Sequence, residues 1–179
     1  GYSTTVLAAN GEETATLVGQ GANRQYVTID EIPLDLQHAF VAIEDERFYD
    51  HNGIDLHGIG RAFISGLSKG RFSEGASTIT QQLIKNNVLT SWTSETSFVE
   101  KLQRKIQEQY LALELEKQVN DKDWILENYM NSVNLGANTL GVQAASKKYF
   151  NKDVSELTLS EASVIAGITQ NPSGYNPIT

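Results

Sequence analysis

From Ile32 onward, apolar residues return at three- and four-residue steps in one segment after another, with turn residues between them. A chain patterned this way buries stripes along helices, and a sheet-based fold is excluded for most of its length. The spacing predicts a helix from Pro33 to about Glu44, with Leu36, Ala39, Phe40 and Ile43 on its apolar stripe. A second helix is predicted from about Asp55 to Leu67, with Ile59, Phe63 and Leu67 inward and Arg61 opposite. A third runs from Ala76 to about Val88 on Ile79 and Leu83. A long helix is predicted from Phe98 to Gln118, with Phe98, Leu102, Ile106 and Tyr110 as one track. Its far side carries Arg104, Glu108, Leu111 and Leu115, which predicts burial of both faces in the later turns. Asn120-Asp121-Lys122-Asp123 has the capping chemistry to open a further helix, with Trp124, Ile125, Leu126, Tyr129 and Met130 toward the core. Gly136 and Gly141 bracket a turn before a helix ending at Tyr149-Phe150, and Thr158-Leu159-Ser160-Glu161 reads as a capping box for a last helix, Leu159 to Ile168.

Only the beginning of the chain reads differently. Residues 4–8 and 14–18 alternate around Asn10-Gly11, a hairpin signal, and Gln25 to Ile29 is expected to add a third strand. The fold class is therefore mainly α with a short N-terminal β arm: residues 1–30 as arm and linker, and 31–179 as the main domain.

The 179 residues suffice for one domain with its own core. A net charge of -8 argues against nucleic acid as a partner, because phosphates call for a basic face. The absence of cysteine excludes disulfides and thiolate metal sites. No apolar run has the length of a membrane span, so any anchor is expected outside these residues.

Glu44 stands where the four-residue step from Leu36 through Phe40 arrives next, so an acid occupies the stripe that faces the core. Either it ends the helix and turns to water, or it loses hydration and becomes a better proton acceptor. Ser77, Gln81 and Lys85 fall at four-residue steps on the third helix, flanked by Thr78 and Gln82. Hydroxyls and amides ending in one cation suit polyhydroxylated or phosphorylated groups better than plain solvation. Glu108, one turn after Arg104 and Lys105, is either half of a helix ion pair or a second carboxylate for the same cleft. Residues 68–75 form a basic loop carrying Phe72, either simply solvated or touching a membrane surface or an anionic substrate. His51 and His57 lack a zinc-ligand spacing, and His51 is expected to fix its loop. No Ser-x-x-Lys, Lys-Thr-Gly, P-loop or dinucleotide fingerprint occurs. Two carboxylates, a polar stripe and scattered cations point to glycosyl or phosphate chemistry.

These residues also carry a resemblance. Glu44-Asp45-x-x-Phe48-x-x-His51-x-Gly53 resembles the first signature of the family 51 glycosyltransferases. These are the peptidoglycan-polymerising domains of class A bifunctional penicillin-binding proteins and the monofunctional transglycosylases. Gly75 to Gln82 resembles the second motif, Arg104-Lys105-x-x-Glu108 the third, and Ile125 to Asn131 with Gly136 after it the fourth. Gly141 to Ala145, Tyr149-Phe150 and Pro172 to Pro177 are similar to the family's pattern on the C-terminal side of its fourth motif.

The resemblance implies a lysozyme-like, two-lobed helical domain whose small lobe, around Phe63 to Phe72, faces the membrane. In the family's pattern the chain would lack the last C-terminal helices. It implies an enzyme that joins lipid II to the growing glycan chain by inverting displacement of undecaprenyl pyrophosphate, giving β-1,4 bonds. Glu44 would be the general base, and Glu108 would assist on the donor side, with Mg²⁺ or Mn²⁺ as an ion it could hold. Lys85 would stabilise the leaving pyrophosphate. Asp45, His51, Arg61, Ser77, Thr78, Gln81, Gln82, Arg104 and Lys105 would form the substrate site. Moenomycin, a donor mimic, would occupy the same groove. The implied location is the extracytoplasmic face of the bacterial membrane, with a transpeptidase domain in the full-length chain. Where many members carry an Arg before the third motif this chain has Thr96, so leaving-group stabilisation would pass to Lys101 or Arg104. A lysozyme-like glycan-cleaving enzyme and a non-catalytic cell-wall binding module are the other readings of the same residues.

Overall fold

The computed structural model describes residues 4–7, 13–17, 25–69, 77–88, 98–172 and 174–175. Seven helices are found among them: α1 (Leu34–Glu44), α2 (Leu56–Lys69), α3 (Ile79–Asn87), α4 (Phe98–Val119), α5 (Lys122–Met130), α6 (Val142–Phe150) and α7 (Leu159–Ile168). The mainly α reading holds. The arm contains strands β1 (Thr4–Leu7) and β2 (Glu13–Leu17), paired antiparallel with Thr4 opposite Leu17. The Asn10-Gly11 turn, the loop bearing Phe72 and the loop bearing Trp92 lie outside the described residues, as do the side chains of Phe63, Leu67 and Phe98.

The third strand does not form. Residues 25–28 are irregular and lead into a 3₁₀ turn at Ile29–Glu31. The Asn131 side-chain amide does what a neighbouring strand would do for Val27. It accepts from the Val27 N–H at 3.0 Å and donates to the Val27 carbonyl at 2.8 Å. With both backbone groups satisfied by one side chain, no ladder is needed.

The core gathers where α1, α3, α5 and α7 meet, around Leu36, Phe40, Ile79, Ile125, Tyr129 and Ile165. Phe40 and Tyr129 meet edge to face at 6.0 Å, which ties α1 to α5. The predicted stripe of α1 needs one correction: Leu36 and Phe40 are fully buried, but Ile43 is exposed. Gln37 on the same helix is buried instead, its amide donating to the Ile29 and Ile32 carbonyls at 3.1 and 2.8 Å.

A larger correction concerns α4. Leu102, Ile106 and Tyr110 are exposed, and Glu108, Ala112 and Glu116 form the buried line. Acids can face inward here because each has partners. Glu116 accepts from Thr80 Oγ1 at 2.6 Å and Lys122 Nζ at 2.7 Å, and Glu108 from Lys105 and Gln81. The helix turns its satisfied carboxylates to α3 and its alkyl track outward.

Helix ends agree closely with the sequence signals. Thr158 and Glu161 make the expected capping box of α7, and Asp121 caps α5 with bonds from the Asp123 and Trp124 N–H groups at 3.0 and 3.1 Å. Asn151 closes α6 at φ 54°, a left-handed position that asparagine tolerates better than most residues.

Candidate active site

The segment between α1 and α2 is fixed by buried struts. Asp45 comes directly after the last residue of α1 and is buried; its carboxylate accepts from the Ile79 N–H, at the start of α3, at 3.0 Å. One orphan donor of that helix is thereby satisfied by a negative charge. His51 Nε2 lies 2.9 Å from both Asp45 oxygens, and its Nδ1 accepts from the Gly53 N–H at 3.1 Å. Because Nδ1 accepts, the ring proton sits on Nε2 and faces Asp45. Gly53 has φ 99°, and a Cβ there would meet the Ala112 carbonyl oxygen at 2.7 Å, so only glycine lets the loop lie against α4. Lys122 donates to the His51 carbonyl at 2.7 Å and stands 4.5 Å from the Phe48 ring centroid.

This frame presents Glu44 at the end of α1, half-buried and held by three neutral donors. Gln82 Nε2 donates to Oε2 at 2.8 Å, and Gln170 Nε2 donates to Oε1 at 3.1 Å. The Thr169 hydroxyl also donates to Oε1. Gln82 is turned the right way by Tyr129, whose hydroxyl donates to its carbonyl oxygen at 3.2 Å. Burial pushes the Tyr129 phenol well above its usual range, and the charges of Glu44 and Asp45 push the same way.

Glu108 has the opposite surroundings. It is only 3 % exposed, and its Oε1 accepts from Lys105 Nζ at 2.6 Å and Gln81 Nε2 at 3.2 Å. Lys105 also donates to Ser77 Oγ at 2.7 Å. Adjacent residues of α3 thus serve the two acids, Gln81 reaching Glu108 and Gln82 reaching Glu44. A pocket of about 130 Å³ is lined by Glu44, Asp45, Arg47, Asp55, Arg61 and Ser77, among others. Ser77 is where it meets the Lys105–Glu108 pair.

The family model described as Transglycosylase matches residues 10–179. The chain belongs to the transglycosylase family. At the level of the family this makes it an enzyme, a peptidoglycan glycosyltransferase. It is 50% identical over 161 residues, 87% of this chain, to Penicillin-binding protein 1A of Clostridium botulinum (strain Langeland). To Penicillin-binding proteins 1F and 1A/1B of Bacillus subtilis it is 44% and 41% identical, over 98% and 99% of its length. It covers 18% of the clostridial protein and 23% and 18% of the two Bacillus proteins, so the chain spans about a fifth of the curated relatives it matches.

In this transglycosylase domain the expected site residues divide into two sets. Glu44, Asp45, Arg61, Ser77 and Thr78 line the pocket, and Gln82 reaches it through Glu44. Thr78 and Gln81 are buried and joined to each other in the capping box of α3, so the expected Ser77–Gln81–Lys85 stripe is not one exposed row. Asp45 and His51 hold each other and the backbone. Arg61 is exposed and donates to Glu46 at 3.2 Å. Lys85 is exposed and does not line the pocket; Arg104 is half-buried on α4.

Two residues of the Glu44 shell, Thr169 and Gln170, were not among the expected site residues. The signal available was a polar pair directly after Ala166-Gly167-Ile168, at the end of an apolar helix. A Mg²⁺ or Mn²⁺ ion would find at Glu108 one carboxylate already carrying an ammonium. No group of three acids or histidines able to hold a metal is present among the described residues. The residues at Glu108 do not by themselves make a metal cage.

Proposed function

We propose that this domain polymerises lipid II into β-1,4-linked glycan strands, with Glu44 as the general base. The 4-hydroxyl of the acceptor N-acetylglucosamine attacks the anomeric carbon of the growing chain. The new C–O bond forms as the bond to undecaprenyl pyrophosphate breaks, and the hydroxyl proton passes to Glu44. The observation that carries this reading is a carboxylate on the pocket wall whose hydrogen-bond donors among the described residues are all neutral, so that no cation among them competes with an incoming proton. A placed carboxylate contributes roughly 10²–10⁴-fold through proton transfer; positioning and charge stabilisation supply the rest.

Cations stand ready for the diphosphate. Arg61 lines the pocket, Lys105 reaches it through Ser77, and Lys85 is exposed one turn beyond Gln82. Glu108 holds Lys105 in place, a supporting role on the donor side. Asp45, His51, Thr78 and Gln81 build the walls and Gln82 orients the base. Moenomycin would compete for the donor half of the groove. No helix among the described residues is long and apolar enough to cross a membrane. Work on a lipid-linked substrate would take place at the extracytoplasmic face of the membrane, and a transpeptidase domain would belong to the full-length protein.

The test is a lipid II polymerisation assay on the full-length, membrane-anchored protein, with and without moenomycin. Moenomycin-sensitive polymer supports the reading. Shortened glycan strands would instead indicate a glycan-cleaving enzyme, and binding without turnover a recognition module.

A further inference from the structure

A carboxylate offers about four lone-pair positions, two on each oxygen. At Glu44 three of them are taken by donors among the described residues. Oε1 takes both the Thr169 hydroxyl and the Gln170 amide, the latter at 3.1 Å, and Oε2 takes the Gln82 amide at 2.8 Å. The remaining position is on Oε2. We infer that Thr169 and Gln170 are positioning residues that saturate Oε1 and make Oε2 the atom receiving the substrate's proton. The inference rests on the reading of Glu44 as the base and adds which oxygen acts and what selects it.

Two features show that the clamp is built rather than incidental. The contact joins residues 125 apart in sequence and lies where α1 and α7 pack together. Both helices end beside this carboxylate, and helix C-terminal ends carry partial negative charge. An anion held there depends on side-chain donors, and Thr169, Gln170 and Gln82 are those donors. The Thr169 hydroxyl also lies 2.7 Å from the Ala166 carbonyl, but it has one proton to give. The charged oxygen is the stronger acceptor, so the proton goes to Glu44.

The charged and titratable groups around Glu44 among the described residues are few. Asp45 is its neighbour in sequence, and Tyr129 faces it from α5. Glu46, Arg47, Asp55 and Arg61 share the pocket wall, while the partners from α3 and the end of α7 are neutral. Removing the Thr169 hydroxyl therefore takes a donor from the carboxylate without changing the charge around it.

The experiment compares Thr169→Val and Thr169→Ser in the full-length protein, with Glu44→Gln alongside. Turnover, KM for lipid II and the thermal midpoint are measured. Valine matches the shape of threonine without its hydroxyl; serine keeps the hydroxyl. Thr169→Val is expected to lower kcat about tenfold, the order of one hydrogen bond to a charged group, with KM within about twofold. Thr169→Ser should restore turnover. Wild-type turnover in Thr169→Val, with Glu44→Gln inactive, would overturn the clamp and leave the base standing. Equal losses in Val and Ser with a lowered thermal midpoint would also overturn it, as a packing role. An active Glu44→Gln would remove the underlying reading itself.

Discussion

Glu44 and Glu108 are the same kind of side chain, each hydrogen-bonded to one of two adjacent glutamines on α3, yet their surroundings give them different capabilities. Glu44 is half-buried, borders a pocket and, among the described residues, is held only by neutral amides and a hydroxyl. Glu108 is buried and bound to the Lys105 ammonium. A proton arriving at Glu44 displaces no cation, whereas one arriving at Glu108 would break an ion pair inside the protein. On the proposed function, environment divides the two carboxylates between an acceptor of protons and a support for a cation. Asp45 joins the two halves, since it starts α3, the helix that serves both acids.

That division can be broken at several points. The largest stability effect is expected for Asp45→Asn, which weakens the bond to the Ile79 N–H and the hold on His51. It should cost about 2–3 kcal/mol in urea unfolding. A cost under about 0.5 kcal/mol would mean the joint is not structural.

At the Glu108 end, Glu108→Gln and Lys105→Met should each cost about 1–2 kcal/mol, and the double variant less than their sum. Additive costs would show that the pair is not coupled. At the Glu44 end, Tyr129→Phe frees the Gln82 amide to turn and should lower turnover about three- to fivefold, for a loss of up to about 1 kcal/mol in stability.

The smallest effect lies at the pocket rim. Arg47 hydrogen-bonds Asp55 and holds its carboxyl down to about 2. Because this folded value is depressed, its stabilisation is complete above the ordinary carboxylate range near about 4. It is lost as pH falls through about 2. Asp55→Asn should flatten the pH–stability curve in that window alone; an unchanged acid limb would place the stabilisation elsewhere.

Much of the fold and part of the site are legible in the chain itself. The helices lie close to where periodicity and capping residues put them, and the step Leu36–Phe40–Glu44 did bring an acid to the edge of the core. The failures have physical reasons. On α4 both sides carry apolar residues, and periodicity cannot tell which side turns inward when buried acids find partners such as Lys105, Gln81, Lys122 and Thr80. On α3 a four-residue step grouped Gln81 with Ser77 and Lys85, but the capping box with Thr78 draws Gln81 into the interior. At the N-terminal segment, no local rule indicates that Asn131 would substitute for a strand beside Val27. Thr169 and Gln170 become part of the site only through the packing of α7 on α1.

The central claim is that Glu44 acts in the chemical step and not in building the site. The most direct test measures Glu44→Gln for lipid II polymerisation and moenomycin binding in the same membrane-anchored preparation. The account predicts turnover reduced at least about a hundredfold with moenomycin affinity within about threefold of wild type. Parallel loss of both, or near-normal polymerisation, would contradict it.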